Sequence, residues 1–379
     1  MIRRPQIAIP AVYARGGTSR ALLFHERDLG GTMEQPHLWD GIFAAALGSP
    51  DPGERQLDGL GGGISSLSKV AVVRPSTRLD ADVDYLFGQA AIRSVNVSYR
   101  GNCGNISAAV GPYAIDEGLV TVEGDEALVR IHNVNTNKLI HARFPLIGGQ
   151  AAVEGDFTIQ GVAGSGAQIR LDFIDPGGAT TGKLLPVDEA TSELDIPAIG
   201  RLAVSLVDAA NPVLFVRADS FGLKGNETPG DINADRKLLE RLDDARATAA
   251  VAMGIVETFE EAKTKVPNLP LVALLSQCED EDADIRVRMI SAGQPHKATP
   301  LTGAMCLAVA ARLPGTLAAE ITGPLLPDRA IRIAHASGIL PVDADVRDGQ
   351  AHSVTVFRTA RRLMEGRVLI PSPLEPSTS

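Results

Sequence analysis

Gly101-Asn102-Cys103-Gly104-Asn105-Ile106-Ser107-Ala108-Ala109-Val110-Gly111-Pro112-Tyr113-Ala114-Ile115 passes from a polar, glycine-bearing loop into a run of small and apolar residues. A run without a polar face suits a helix buried on all sides. The same plan returns in the second half. There His296-Lys297-Ala298-Thr299-Pro300-Leu301-Thr302-Gly303 opens the small-residue stretch Ala304 to Ala311. Working outward, the strand Ile7 to Tyr13 enters the turn Arg15-Gly16-Gly17-Thr18-Ser19-Arg20, and Ala21 to Phe24 leaves it. In parallel, Ala203 to Val207 enters Asp208-Ala209-Ala210-Asn211-Pro212, and Val213 to Val216 leaves that turn. Ile331-Arg332-Ile333 with His335-Ala336-Ser337-Gly338 echoes the strand around Ile131. An internal duplication is the economical reading.

At 379 residues, two domains are also the default on length alone. The Pro/Gly-rich stretch from Asp175 to Pro186 is the natural link, so the expected domains are 1–183 and 184–370, with a frayed tail at 371–379. Residues 36–48 read as an amphipathic helix with Leu38, Trp39, Ile42, Phe43 and Leu47 on its apolar face, stopped by the breaker cluster from Gly48 to Gly53. Val70 to Val73, Asp82 to Phe87, Leu128 to Asn133, Leu139 to Phe144 and Ala167 to Phe173 read as strands. Asp231 to Val251 reads as a charged helix outside the repeated core.

The composition, 44% hydrophobic and 22% charged, is that of a globular protein, and no apolar run reaches the roughly 18 residues of a membrane span. The N-terminus lacks the apolar stretch of a secretory signal, so a cytoplasmic location is expected. A net charge of −10 argues against nucleic-acid partners. Cys103, Cys278 and Cys306 are too few and too scattered for a disulfide framework or a zinc cluster, and neither a metal nor a cofactor is signalled. The acidic run Glu279 to Asp282 reads as a solvated loop. An anionic ligand would need positive surroundings built locally.

Two segments offer them. Gly61-Gly62-Gly63-Ile64-Ser65-Ser66-Leu67-Ser68-Lys69 ends in a lysine at a strand start, with Ser65, Ser66 and Ser68 supplying hydrogen bonds. Partial desolvation there favours the neutral amine, a usable base. Cys103 stands at a helix N-terminus, where the macrodipole favours a thiolate and the N–H groups of Gly104 and Asn105 bind a carboxylate. Cys278 and Cys306 read instead as small buried hydrophobes. Arg15 can clamp a carboxylate with its two-pronged head, with Thr18 and Ser19 beside it. Asn102, Asn211, Lys297, Thr302, Gly303 and Ser337 complete the candidate binding set, whose ligand is a small anion.

These stretches, with the closing Arg361-Arg362-Leu363-Met364-Glu365-Gly366, resemble the PrpF family in one collinear order across nearly the whole chain. The resemblance implies an α+β, diaminopimelate-epimerase-like fold: two pseudo-symmetric domains, each a curled sheet or barrel around a central helix. It also implies a catalytic lysine at Lys69 and a catalytic cysteine at Cys103. Diaminopimelate epimerases use two facing thiols, but the position before the second helix is Pro300 here, so two-thiol racemisation is not expected. The family's reaction, a 1,3-allylic proton shift that moves a C=C bond in an unsaturated di- or tricarboxylate, is expected instead.

Among family substrates, Lys297 stands where 2-methylaconitate isomerases carry a second histidine. An added cation suits an oxo-acid, so the preferred expectation is 4-oxalomesaconate, from aromatic-acid breakdown. The alternatives are 2-methylaconitate and methylitaconate, and, outside enzymes, a tricarboxylate-binding accessory protein of an aconitase-like enzyme. The oligomeric state is left open, a homodimer among the options.

Overall fold

The computed structural model describes residues 5–372 apart from 100–101, 198, 279–281 and 328. Gly101, most of the acidic run and residues 373–379 of the expected tail therefore lie outside the described residues. The chain forms two compact units, one of residues up to 171 together with 357 onward, the other of residues 172–356. The chain thus crosses between units twice, where the sequence suggested a single crossing near 183. The physical reason is the last strand, whose hydrogen-bond partner is the first.

The first unit contains β1 (Gln6–Gly16), β2 (Ser19–His25), α1 (Asp40–Leu47), β3 (Lys69–Pro75), β4 (Val83–Ala90), β5 (Val97–Ser98), α2 (Gly104–Asp116), β6 (Glu126–Asn133), β7 (Lys138–Ile147) and β8 (Gln150–Ala151). β9 (Ile169–Ile174) leads out of it. The second contains β10 (Ser192–Ile196), β11 (Gly200–Ala209), β12 (Asn211–Arg217), α3 (Pro229–Ala234), α4 (Arg236–Ala252), α5 (Phe259–Thr264), β13 (Leu271–Ser276), β14 (Ile285–Ser291), β15 (Gln294–Pro295), α6 (Leu301–Arg312), α7 (Leu317–Thr322), β16 (Ile331–His335) and β17 (Gly338–Arg347). β18 (Gln350–Arg358) leads back, and β19 (Ala360–Pro371) closes the first unit by pairing antiparallel with β1 from Gln6↔Pro371 to Gly16↔Ala360.

The duplication is present in the topology. β1–β2 is an antiparallel hairpin, β2–β3 is parallel, β3–β4 antiparallel, β4–β6 parallel and β6–β7 antiparallel. β11–β12, β12–β13, β13–β14, β14–β16 and β16–β17 repeat that order of senses. A carboxylate clasp is repeated too. Asp82 accepts from the backbone N and guanidinium of Arg130, and Asp284 does the same for Arg332, each pair 48 residues apart.

Helix α2 is buried from Gly104 to Ile115 along most of its length and packs against β1, β2, β3, β6, β7 and β19. It is the central helix of its unit. Gly111 permits this, because a Cβ there would stand 2.7 Å from the Phe144 ring of β7. Pro112 sits inside the helix without ending it, since burial outweighs the loss of one backbone bond. Strand alternation then sorts the faces. Leu22, Phe24, Val70, Val72 and Leu86 join Trp39, Phe43 and Leu47 around α1 in one core cluster. Lys69, Tyr85, Phe87 and Gln89 are at the opposite parity, on the face turned to α2.

Two expectations need correction. The helix predicted over 36–48 is a 3₁₀ turn, Pro36–Trp39, followed by α1, and Gly48 ends it at φ 81°. The tighter turn rotates Leu38 out to 64% exposure, so it is not on the apolar face. The helix expected over 231–251 is broken at Asp235, whose side chain caps the Leu238 N–H at 3.0 Å. Leu238 and Leu242 then pack on Leu206, Leu214 and Val272.

Candidate active site

The site of the first unit is built around β3 and β4. Their register places Lys69 directly opposite Gln89. Lys69 is 8% exposed, its Nζ donates to Gln89 Oε1 at 2.5 Å, and it lies 5.0 Å from the centre of the Phe87 ring. The amide of Gln89 is fixed in turn, because its Nε2 donates to Ser68 O at 2.9 Å and Ser65 O at 3.2 Å. The loop before Lys69 is wired through buried Gln56. Gln56 Oε1 accepts from Ser68 Oγ at 2.7 Å and Gly63 N at 3.0 Å, and its Nε2 donates to Ser49 Oγ at 2.9 Å. Gly61 and Gly63 are required by this packing. A Cβ on Gly61 would meet Gln56 Oε1 at 2.2 Å, and one on Gly63, at φ 71°, would meet Glu54 O at 2.0 Å.

Cys103 is half-buried and is the N-cap of α2. No side chain caps this helix end, which leaves the first-turn N–H groups for another acceptor. The Cys103 carbonyl takes the Ser107 N–H at 3.0 Å and Ser107 Oγ at 3.1 Å. Asn102 Oδ1 accepts from Ser107 Oγ at 3.2 Å, which ties the preceding residue to the same turn. Behind it, the fully buried Tyr85 hydroxyl is pushed up well above its ordinary range by burial and then by the nearness of Cys103. Tyr85, Phe87 and Gln89 occupy one face of β4, so that face meets both Cys103 and Lys69.

The turn at Gly16-Gly17-Thr18 seats against the same helix start. A Cβ on Gly16 would stand 2.4 Å from Asn105 O, and one on Gly17, at φ 50°, would stand 2.2 Å from Asn105 Oδ1. Asn105 Nδ2 donates to Thr18 Oγ1 at 3.1 Å, and Asn105 Oδ1 accepts from Arg358 Nε at 3.1 Å. Arg15 Nη1 is committed to Gly17 O and Thr359 O, both at 2.9 Å, so its guanidinium holds this turn. Burial, and then Arg361 across from it, push that guanidinium below its usual range. Ser19 is buried in the hairpin, Ser68 spends its hydroxyl on the loop, Ser65 and Ser66 form a 3₁₀ turn, and Thr18 is exposed.

The residues predicted from the second half gather at the start of α6. Asn211 Nδ2 donates to Thr302 Oγ1 at 3.4 Å, and Ser337 Oγ donates to the Lys297 carbonyl at 2.5 Å. Gly303 serves packing, since a Cβ would meet the Met289 methyl at 2.8 Å. The Lys297 side chain is exposed. Pro300 caps α6 where Cys103 caps α2, and Leu271 holds on β13 the register place of Lys69 on β3. Cys306 is buried, and burial pushes its thiol well up. Among the described residues no group of three or more His, Cys, Asp or Glu side chains could hold a metal ion. No described helix is long and apolar enough to cross a membrane.

Gln56, Gln89 and Arg358 were absent from the sequence reading. Only the β3–β4 register could have pointed to Gln89.

A central helix in each of two matching units is the architecture of the proline-racemase and diaminopimelate-epimerase class. A probable proline racemase from Agrobacterium radiobacter shares the fold at TM-score 0.52 and 15% identity over 98% of this chain and 94% of that one. The chain belongs to the PrpF family, matching the PrpF protein over residues 6–371, and is an isomerase. It is 40% identical to 3-methylitaconate isomerase of Eubacterium barkeri, covering 96% of this chain and 98% of the relative. It is 38% identical to 2-methyl-aconitate isomerase of Cupriavidus necator over 98% and 99%. It is 34% identical to 4-oxalomesaconate tautomerase of Pseudomonas putida over 96% and 97%. The crystal structure of a methylitaconate-delta-isomerase superposes at TM-score 0.90, with 39% identity over 97% of both chains.

Proposed function

We propose that this protein moves a C=C bond in an unsaturated di- or tricarboxylate by a 1,3-allylic proton shift, with Lys69 as the base and Cys103 as its partner. The observation that carries the reading is the Lys69–Gln89 contact. The amine is buried and held by a neutral amide. A carboxylate in that place would add a full negative charge beside the amine; a neutral amide holds its position without one.

In this reading the neutral Lys69 amine takes a proton from the carbon allylic to the double bond. The electron pair left behind spreads through the double bond onto a carboxylate as a dienolate. The uncapped N–H groups of Gly104 and Asn105 stabilise that developing charge. A proton returned to the far carbon, from the Lys69 ammonium or the Cys103 thiol, completes the shift with no net change in composition; when the thiol donates, the ammonium gives its proton back to the thiolate and restores the enzyme. Leu271 and Pro300 supply neither base nor thiol from the second half, which favours isomerisation over two-base racemisation.

For the substrate, the named relatives at 40% and 38% identity act on methylated acids, against 34% for the oxalomesaconate enzyme. The case for 4-oxalomesaconate rested on Lys297, whose side chain is exposed. We therefore place methylitaconate and 2-methylaconitate ahead of 4-oxalomesaconate. The test is proton NMR in D₂O with each of the three acids. One should isomerise with deuterium entering an allylic carbon, and Lys69→Met should slow this roughly 100- to 10,000-fold. Exchange that persists at the native rate in Lys69→Met sinks the reading.

A further inference from the structure

Several buried or half-buried guanidinium groups among the described residues meet acids. Arg74 pairs with Glu26, Glu34 and Asp84, Arg246 with Asp243, Arg312 with Asp343, and Arg362 with Asp116 and Glu117. Arg358 does not. It is 7% exposed, its Nε donates to Asn105 Oδ1 at 3.1 Å and its Nη1 to Phe357 O at 2.8 Å. Both acceptors are neutral, and Nη2 makes no hydrogen bond among the described residues. In the second unit, buried Arg288 also donates to carbonyl oxygens, but there the Glu227 carboxylate acts on it as well. No carboxylate among the described residues offsets the burial of Arg358; the neighbouring Cys103 acts against it, and the guanidinium is held down to about 10. It is still a full cation at neutral pH. A cation buried without a carboxylate partner is a cost that the fold must offset elsewhere, and an anionic ligand is the direct way to do so.

Its placement is fixed by the architecture. Asn105, in the first turn of α2, accepts from Arg358 Nε with one amide atom and donates to Thr18 Oγ1 with the other. Gly17 leaves the necessary room, since a Cβ there would come within 3.1 Å of Arg358 Cδ. Arg358, Cys103 and the uncapped N–H groups of α2 are thus gathered at one helix start through Asn105.

We propose that Arg358 is a substrate-binding residue that takes one carboxylate of the substrate through its unpaired Nη2 edge, beside Cys103, and makes that carboxylate a requirement of specificity. This rests on the isomerase reading above and adds the group that anchors the end of the substrate nearest the thiol. A guanidinium there also polarises the carboxylate onto which dienolate charge spreads.

The experiment is calorimetric titration with an unreactive probe, propane-1,2,3-tricarboxylate, and with its mono-amide, using wild-type protein, Arg358→Gln and Arg358→Lys. Wild type should bind the tricarboxylate and prefer it to the mono-amide. Arg358→Gln should weaken the tricarboxylate about 10- to 100-fold and erase the preference. Arg358→Lys should restore part of both, because charge returns without the planar fork. A merely structural arginine would weaken both probes equally, which overturns the inference, as would affinity within threefold of wild type in Arg358→Gln. If Arg358→Gln does not fold, Arg358→Lys decides: an unchanged preference and affinity overturn the inference, and a loss of at least fivefold on the tricarboxylate alone supports it. Should wild type bind neither probe, the carboxylate reading itself fails, and the inference fails with it.

Discussion

Gln89 holds the amine proposed as the base without taking part in the proton transfer itself. Its Oε1 accepts from Nζ while its own Nε2 is pinned by Ser65 and Ser68 carbonyls, so the acceptor cannot turn away. Replacing it by glutamate keeps the shape and adds a charge that favours the ammonium. The acid limb of kcat/KM against pH for Gln89→Glu should therefore move upward by roughly 1–3 units, the usual effect of a carboxylate beside a cation. An unmoved limb would mean that Lys69 is not the base. Lys69 and Cys103 stand out as candidates because each lies in a local run of glycines and small polar residues. Gln56, Gln89 and Arg358 do not. They reach the site by cross-strand register, a buried loop, and a strand returning from the far end of the chain, and none of these leaves a mark in nearby sequence.

At the scale of elements, the turn after β1 and the start of α2 act as one piece. Gly16 is not needed for its dihedral angles; it is needed for the space that Asn105 O fills. Gly16→Ala should cost about 1–3 kcal/mol by overpacking against backbone and reduce turnover together with stability. Gly30→Ala is the control. Gly30 is left-handed at φ 64° with open space around it, so its substitution should cost about 1–2 kcal/mol and leave turnover unchanged. Urea unfolding and initial rates on both variants give the comparison. The sequence showed these strands and helices through alternation and breaker residues. It misplaced Leu38 because a 3₁₀ turn and an α-helix with the same apolar spacing present different faces. It read 231–251 as one helix because a mid-segment Asp cap is indistinguishable from a surface aspartate until the backbone is seen.

For the molecule as a whole, the two units share a scaffold but not the two side chains proposed as base and partner. The strand order and the Asp–Arg clasp recur, while the lysine and thiol places hold Leu271 and Pro300 in the second unit. Burial alone would raise the Asp284 carboxyl, but the hydrogen bonds and charge of Arg332 and Arg329 overcome it and hold it below the usual range; Arg130 does the same for Asp82. A carboxyl with a depressed folded value stabilises the fold above the unfolded value near 3.8 and loses that contribution as pH falls through the folded one. Asp284→Asn should therefore destabilise the protein by about 2 kcal/mol at neutral pH, and the deficit should shrink in acid. Equal deficits at pH 7 and pH 3, by urea titration, would show that the clasp is not electrostatic. The repeat itself was readable from paired loops. What sequence could not supply was the return of the chain, because the pairing of β1 with β19 spans nearly its full length.

That return bears on how the protein is made. Synthesis from the N-terminus delivers Lys69, Cys103 and the central helix early, yet Arg358 and the β19 partner of β1 do not exist until residues 358–371 leave the ribosome. The second unit, a continuous stretch of 172–356, is complete before the first. The half that holds the proposed catalytic pair is begun first and finished last, and through most of synthesis it waits with an open strand edge. A shortened chain ending before residue 357 would carry the proposed base and acid and still lack the strand that closes their unit.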